Sequence, residues 1–303
     1  MRSSCAAGLR VVAGLLLALP AVAAEREARV STYTVPEAPE YLLQGATVLT
    51  GTGERIEGTN VLFEEGVITG VGDYLSPPSY VERIDAYDLW VTPGLIDVHA
   101  LLHDYRKPDE DARGASGAME PATEQHPAED LVWPEAPGFA RARGDGVTTL
   151  HVRPDAVESR SDGGVTLKNV PAASVAAMKF PGAPHDVEPS SGEGAVDSAC
   201  SDEEMLALCE LGRAVRAGER LNVAAAQAMR VALDAGVAVK ESDAIRWITA
   251  DAADALGIGD RTGRLEEGYA ADVVLWDRNP FSDDARPLKV WIDGALRYEI
   301  DGP

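Results

Sequence analysis

Histidine is scarce in this chain and unevenly placed. Five stand among 303 residues, at His99, His103, His126, His151 and His185, and none follows. Chemistry that needs imidazoles from the later half of the chain has none to draw on. Cysteine is scarcer, with Cys5, Cys200 and Cys209 alone and no Cys-x-x-Cys pair, which excludes the common zinc-ribbon and thioredoxin-like motifs. No Gly-rich phosphate cradle and no Gly-x-Ser-x-Gly elbow is present. Basic residues are few, 27 against 50 acidic ones, for a formal net charge of -23. Such a surface repels polyphosphate backbones and anionic lipids, which argues against nucleic acid and anionic membranes as partners. The acid excess reads as a solubilising coat.

Long apolar runs are also missing. The longest, Val11 to Leu19, falls far short of the roughly 20 residues that span a bilayer. It sits behind Arg2 and Arg10 and ahead of Ala21-Val22-Ala23, the grammar of a secretory signal peptide over residues 1–24. The expectation is an exported protein, periplasmic or secreted, without stable membrane association once the signal is removed. Cys5 precedes the apolar run, which argues against a lipid-modified cysteine at the cleavage point. Export would leave Cys200 and Cys209 as an even pair in an oxidising compartment. On one helix their nine-residue spacing would part them by about 13 Å, too far to bridge, so the pairing stays open.

What is present is sheet, then α/β text, then sheet again. From Tyr41 to Trp90, short β-branched runs broken by glycine predict a small antiparallel sheet. "VTPGLIDVHA" is nearly continuous and apolar, as in a parallel strand buried on both faces. Asp104 to Asp145 predicts a long irregular loop closing in a short helix, and "GVTTLHVRP" and "GGVTLKNV" predict further strands. "SDEEMLALCELGRAVRAG", "NVAAAQAMRVALDAG" and "SDAIRWITADAADALG" predict helices, each closing on a glycine. "GRLEEGYAADVVLWDRNP" and "LKVWIDGALRYEI" return to strands with tight turns.

Two of these pieces in order, "TPGLIDVH" and "ITADAADALGIGDRTGRLEEGYAADVVLWD", resemble the amidohydrolase superfamily, especially its imidazolonepropionase-like and dipeptidase-like branches. "GVTTLHVRP" resembles that family's second barrel strand. The resemblance implies an α/β fold: a (β/α) TIM-like barrel and a composite β-sandwich built from the N- and C-terminal segments. The sandwich would comprise 41–91 and 263–303, and the barrel 92–262. Val91 to Leu256 offers roughly 165 residues where such a barrel usually takes about 250, so the barrel is expected to be truncated. Gly257, Gly263 and Gly268 would serve caps and turns, and Asp272 would open a buried strand.

The chemistry implied by the resemblance is hydrolysis of carbon-nitrogen bonds, other than ordinary peptide bonds, by water bound to a divalent metal, usually zinc. The small-molecule substrate would be an amide, cyclic amide or dipeptide-like compound. In that family a His-x-His pair on the first strand supplies two ligands, because residues two apart share a side of a strand. Here His99 matches the first position and is the one metal ligand the resemblance assigns, while Leu101 occupies the second. Histidines expected on the fifth and sixth strands have no counterpart.

Other residues have plainer readings. His103, four after His99, would rescue a pair only if the chain turned helical there. His151 reads as an ordinary strand residue, Lys179 as a solvated lysine, Asp243 as a helix cap, and His126 and His185 as loop residues. Two functional readings follow. One is a working hydrolase that rebuilds its metal site from unusual ligands or across a homo-oligomer interface. The other is a non-catalytic pseudoenzyme or partner of a complementary amidohydrolase subunit, which would cover its exposed strand edges.

Overall fold

A computed structural model describes residues 37–105, 132–133, 135–153, 165–168, 177–178, 211, 214 and 218–300. The signal-like segment, His126, Lys179, His185, Cys200 and Cys209 lie outside them.

The larger sheet starts with β1 (Tyr41–Leu49), β2 (Arg55–Glu64), β3 (Val67–Gly72), β4 (Glu82–Asp85) and β5 (Trp90–Pro93). β1 to β3 form the antiparallel meander that the sequence predicts. The antiparallel expectation fails for β4 and β5, which both lie parallel to β1. The connection after β3 carries the chain back to the start of β1, so β4 enters beside Tyr41 in the same direction.

After the middle of the chain, β10 (Val273–Trp276), β11 (Pro287–Ile292) and β12 (Ala295–Glu299) rejoin this sheet. β10 pairs antiparallel with β5, Val273 opposite Pro93 and Trp276 opposite Trp90. The eight strands are thus one hydrogen-bonded sheet, ordered β12-β11-β10-β5-β1-β2-β3 with β4 beside β1. The sheet coils so that Trp291 meets Tyr41 and Phe63, with ring centroids 5.5 and 5.6 Å apart. Asp293 and Gly294, both at positive φ, make the tight β11–β12 turn that "DG" signals.

A second sheet, ordered β6-β7-β8-β9, carries the α/β part. β6 (Leu95–Leu101) and β7 (Val147–Arg153) run parallel, as barrel neighbours would. β8 (Val165–Lys168) and β9 (Ala177–Met178) then turn antiparallel, which departs from a barrel's uniform direction. Helix α1 (Pro137–Gly144) precedes β7 and buries Phe139 and Ala142 against Leu150 and Val152.

Helix α2 (Leu221–Asp234) follows the sequence prediction and ends before Gly236 at φ +86°. The next predicted helix is broken in two, α3 (Glu241–Trp247) and α4 (Ala250–Ala255). The break has a physical cause. The Ile248 carbonyl leaves the helical ladder to accept from the Ile96 N–H at the start of β6 (2.9 Å), and Thr249 Oγ1 donates back to the Ile245 carbonyl (2.8 Å).

Candidate functional site

β6 and its neighbours position every described residue that the sequence proposes for chemistry. Its entry is tightly fixed: Gly94 N–H donates to the Asp272 carbonyl (2.9 Å) and Leu95 N–H to the Gly146 carbonyl (3.0 Å). Asp272 is buried, receiving Thr262 Oγ1 at 2.6 Å and Asp293 N–H at 3.1 Å. It therefore opens β10 and ties three segments together, in the structural role expected of it.

His99 lies near the C-terminal end of β6, half-buried. The regular alternation of a strand does not hold there. Asp97 stands opposite Leu150 and Ala100 opposite Val152, so three steps on β6 match two on β7. Val98 and His99 form a bulge, the device by which strands re-aim side chains near sites. Asp97 Oδ1 accepts from the His99 N–H (2.8 Å) and holds this bulge closed. The rule that places positions 99 and 101 on one side therefore cannot be applied across this stretch.

Asp97 is the residue that the sequence reading passed over. Its signal was visible, since an aspartate two residues before a backbone N–H readily makes a local turn. Burial, the main cause, and the nearby Asp104 raise its pKa above the ordinary carboxylate value, against the His99 N–H, which lowers it. Burial likewise pushes the Tyr105 phenol up, with Asp97 and Asp104 adding to the effect. Tyr105 packs on Phe139 with centroids 4.9 Å apart, and Asp104 faces Arg141 at 3.3 Å.

His103 lies in the 3-10 turn Leu102–Tyr105, so the chain does tighten after β6, as a His99–His103 pair would need. His151 lies in β7, half-buried, as the strand reading has it. Asp243 is at the third position of α3, where its Oδ2 accepts from the Lys240 N–H (3.1 Å); it is a cap, as predicted. A groove lined by Met229, Leu233, Val239 and the Arg55–Glu241 ion pair includes none of the residues singled out from the sequence.

The fit of a family-type zinc centre follows from the donor set. Among the described residues no group of three or more His, Cys, Asp or Glu side chains is placed to hold a metal ion. Leucine at 101 offers no donor, and Asp97 Oδ1 already accepts from the His99 N–H. Zinc in a hydrolytic site takes about three protein ligands and one open position. The described residues do not supply that set.

Comparison with known proteins finds amidohydrolases among the similar ones. Residues 189–297 match the amidohydrolase family model. The chain is 41% identical over 56 residues to amidohydrolase tasK of Hapsidospora irregularis, covering 18% of this chain and 6% of that protein. It is 41% identical over 63 residues to a dihydroorotase of Geobacter metallireducens, covering 21% of this chain and 15% of that protein. The matched segments thus span only a small part of these relatives. An amidohydrolase structure from Thermotoga maritima aligns over 86% of this chain and all of that one, with a TM-score of 0.60 at 19% identity, a likeness of fold. These are likenesses of parts of the sequence to amidohydrolases and of the fold to a solved amidohydrolase.

Proposed function

We propose that this chain belongs to the amidohydrolase superfamily and is an exported protein built on a carbon-nitrogen hydrolase scaffold. Its substrate class would be a small amide, cyclic amide or dipeptide-like molecule. In this reading residues 41–91 and 263–303 form the composite sandwich-like unit, 92–262 a truncated TIM-like barrel, and 1–24 a signal peptide. The observation that carries it is the junction at Gly94. There the "TPGLIDVH" strand starts from the Asp272 carbonyl of "AADVVLW" and runs parallel to "GVTTLHV", so three motifs of the resemblance meet in one place.

No catalytic step is assigned to a metal, because the described donors do not make the family's ligand set. That mismatch favours a second reading, a pseudoenzyme or partner of a complete amidohydrolase subunit. Metal per chain after tag-free purification without added metal separates the two, read beside hydrolysis of N-acyl amino acids, cyclic imides and dipeptides with and without chelator. Stoichiometric metal with chelator-sensitive turnover supports the hydrolase. A ratio near zero with no turnover leaves the partner reading.

A further inference from the structure

We propose that Arg297 and Arg143, brought together where β12 meets the end of α1, form a binding site for a carboxylate. The placement starts from the β11–β12 ladder. Val290 stands opposite Tyr298 and Trp291 opposite Leu296, so Arg297 is the extra residue of a bulge. The faces of β12 exchange across it: Leu296 packs in the cluster of Trp291 and Phe63, whereas Tyr298 packs in the cluster that holds Phe139 of α1. The last turn of α1 lies close by. A Cβ at Gly144, the neighbour of Arg143, would sit 3.4 Å from the Tyr298 ring, so the two arginines flank one contact. Burial, and next the charge of Arg297, lower the Arg143 pKa from its ordinary value, as a facing cation does.

Arg297 carries the case for a ligand. Its Nε and Nη2 are both shielded from solvent, and neither has a hydrogen-bond partner among the described residues. These two N–H groups lie side by side on one edge of the planar guanidinium, the fork that takes both oxygens of a carboxylate. Acceptors close at hand are engaged elsewhere. The Arg141, Ala142 and Arg143 carbonyls at the end of α1 accept from the Asp145 and Gly146 N–H groups, and Glu299 pairs with Lys289. Burial raises the Asp145 pKa, and the cations that oppose the rise are Arg220 and Arg141. Arg143 has interactions of its own and contributes here as the second positive charge. A buried cationic donor without an acceptor is costly, so a carboxylate that reaches this edge relieves a penalty the fold already carries.

Arg143 stands just before β7 begins, at the opposite end of β6 and β7 from His99, so the site does not rest on the hydrolase reading. Its carboxylate comes from a small acid in solution or from an acidic side chain of a second copy of this chain, and one titration separates the two. The full chain, dialysed into chloride buffer, is titrated with propionate, which has no carbon-nitrogen bond to hydrolyse, while calorimetry and the ¹⁵N-edited Nε–H signal of Arg297 are followed. The expected result is saturation at about one propionate per chain with a displaced Arg297 signal. Arg297→Lys, which keeps the charge and loses the fork, should weaken binding at least about tenfold, and Arg143→Lys, which keeps the charge asked of it, should weaken it less. Self-association that Arg297→Lys abolishes and propionate reverses would assign the same site to a side chain of another copy. Inorganic phosphate is the comparison anion: an Arg297 signal moved by phosphate and not by propionate overturns the carboxylate, and a signal moved by neither in a monomeric chain overturns the site. Unchanged binding by a folded Arg297→Lys also overturns it. Thermal melts report whether that variant folds, and the parent's own signal decides alone if it does not.

Discussion

A Cβ added at Gly94 would lie 2.1 Å from Thr148 Oγ1 and 2.4 Å from its Cγ2, inside a junction where Thr148 is completely buried. Gly94→Ala is therefore expected to cost about 3 kcal/mol, the upper end of overpacking penalties, as a lowered urea midpoint. Adding Thr148→Gly should recover part of that loss, and no recovery would show that the clash is not the cause. Asp97 gives a pH-dependent prediction. Its raised pKa means that, between the ordinary carboxylate value and the raised one, the native state holds more protons than the unfolded chain. Stability from this group is present in acid and is lost as pH rises through that window. Asp97→Asn keeps the acceptor for His99 N–H but cannot ionise. Its advantage over the parent should grow from acid toward neutral pH, by no more than about 1.4 kcal/mol per pH unit. Parallel stability curves would contradict this. The motif glycine and His99 were legible as residues, but the reason for the glycine and the aim of the histidine were not. Both depend on β7, some 50 residues away, through Thr148 and through the bulge.

At the scale of elements, runs with a single local cause were read correctly. Examples are β1 to β3, α2 with its glycine cap, and the Asp-Gly hairpin of β11 and β12. The α3–α4 break escaped notice because "SDAIRWITADAADALG" keeps its helical period. The interruption coincides with the bonds that Ile96 N–H makes to the Ile248 carbonyl and Thr249 Oγ1 makes to the Ile245 carbonyl. The direction of β4 and β5 was missed for a similar reason, since periodicity reports burial and not strand sense. Asp243 gives this scale its test. Removing the carboxylate that receives Lys240 N–H, by Asp243→Ala, should cost about 1 kcal/mol of stability with any turnover unchanged. Asp243→Asn should largely retain stability. Loss of activity in a stably folded Asp243→Ala chain would make this residue more than a cap.

For the molecule as a whole, the pairing of β5 with β10 makes the two ends of the chain depend on each other. Trp276 Nε1 donates to Thr92 Oγ1 at 3.0 Å across 184 positions, and both groups are buried. Trp291, also fully buried, fills the interior of the coiled sheet between Tyr41 and Phe63. Sequence reading reached this closure only through the resemblance, because no local pattern links positions so far apart. If the ends are one cooperative unit, Trp291→Ala should cost about 3–5 kcal/mol. The loss should appear in β1 and β2 as much as in β11. Native-state hydrogen exchange resolves this: amides of Leu43, Val61 and Val290 should open at one shared free energy, and the substitution should lower all three together. Staged opening, with Val290 released while Leu43 and Val61 keep their protection, would mean that the N-terminal meander is stable alone. The C-terminal strands would then be an appendage to it.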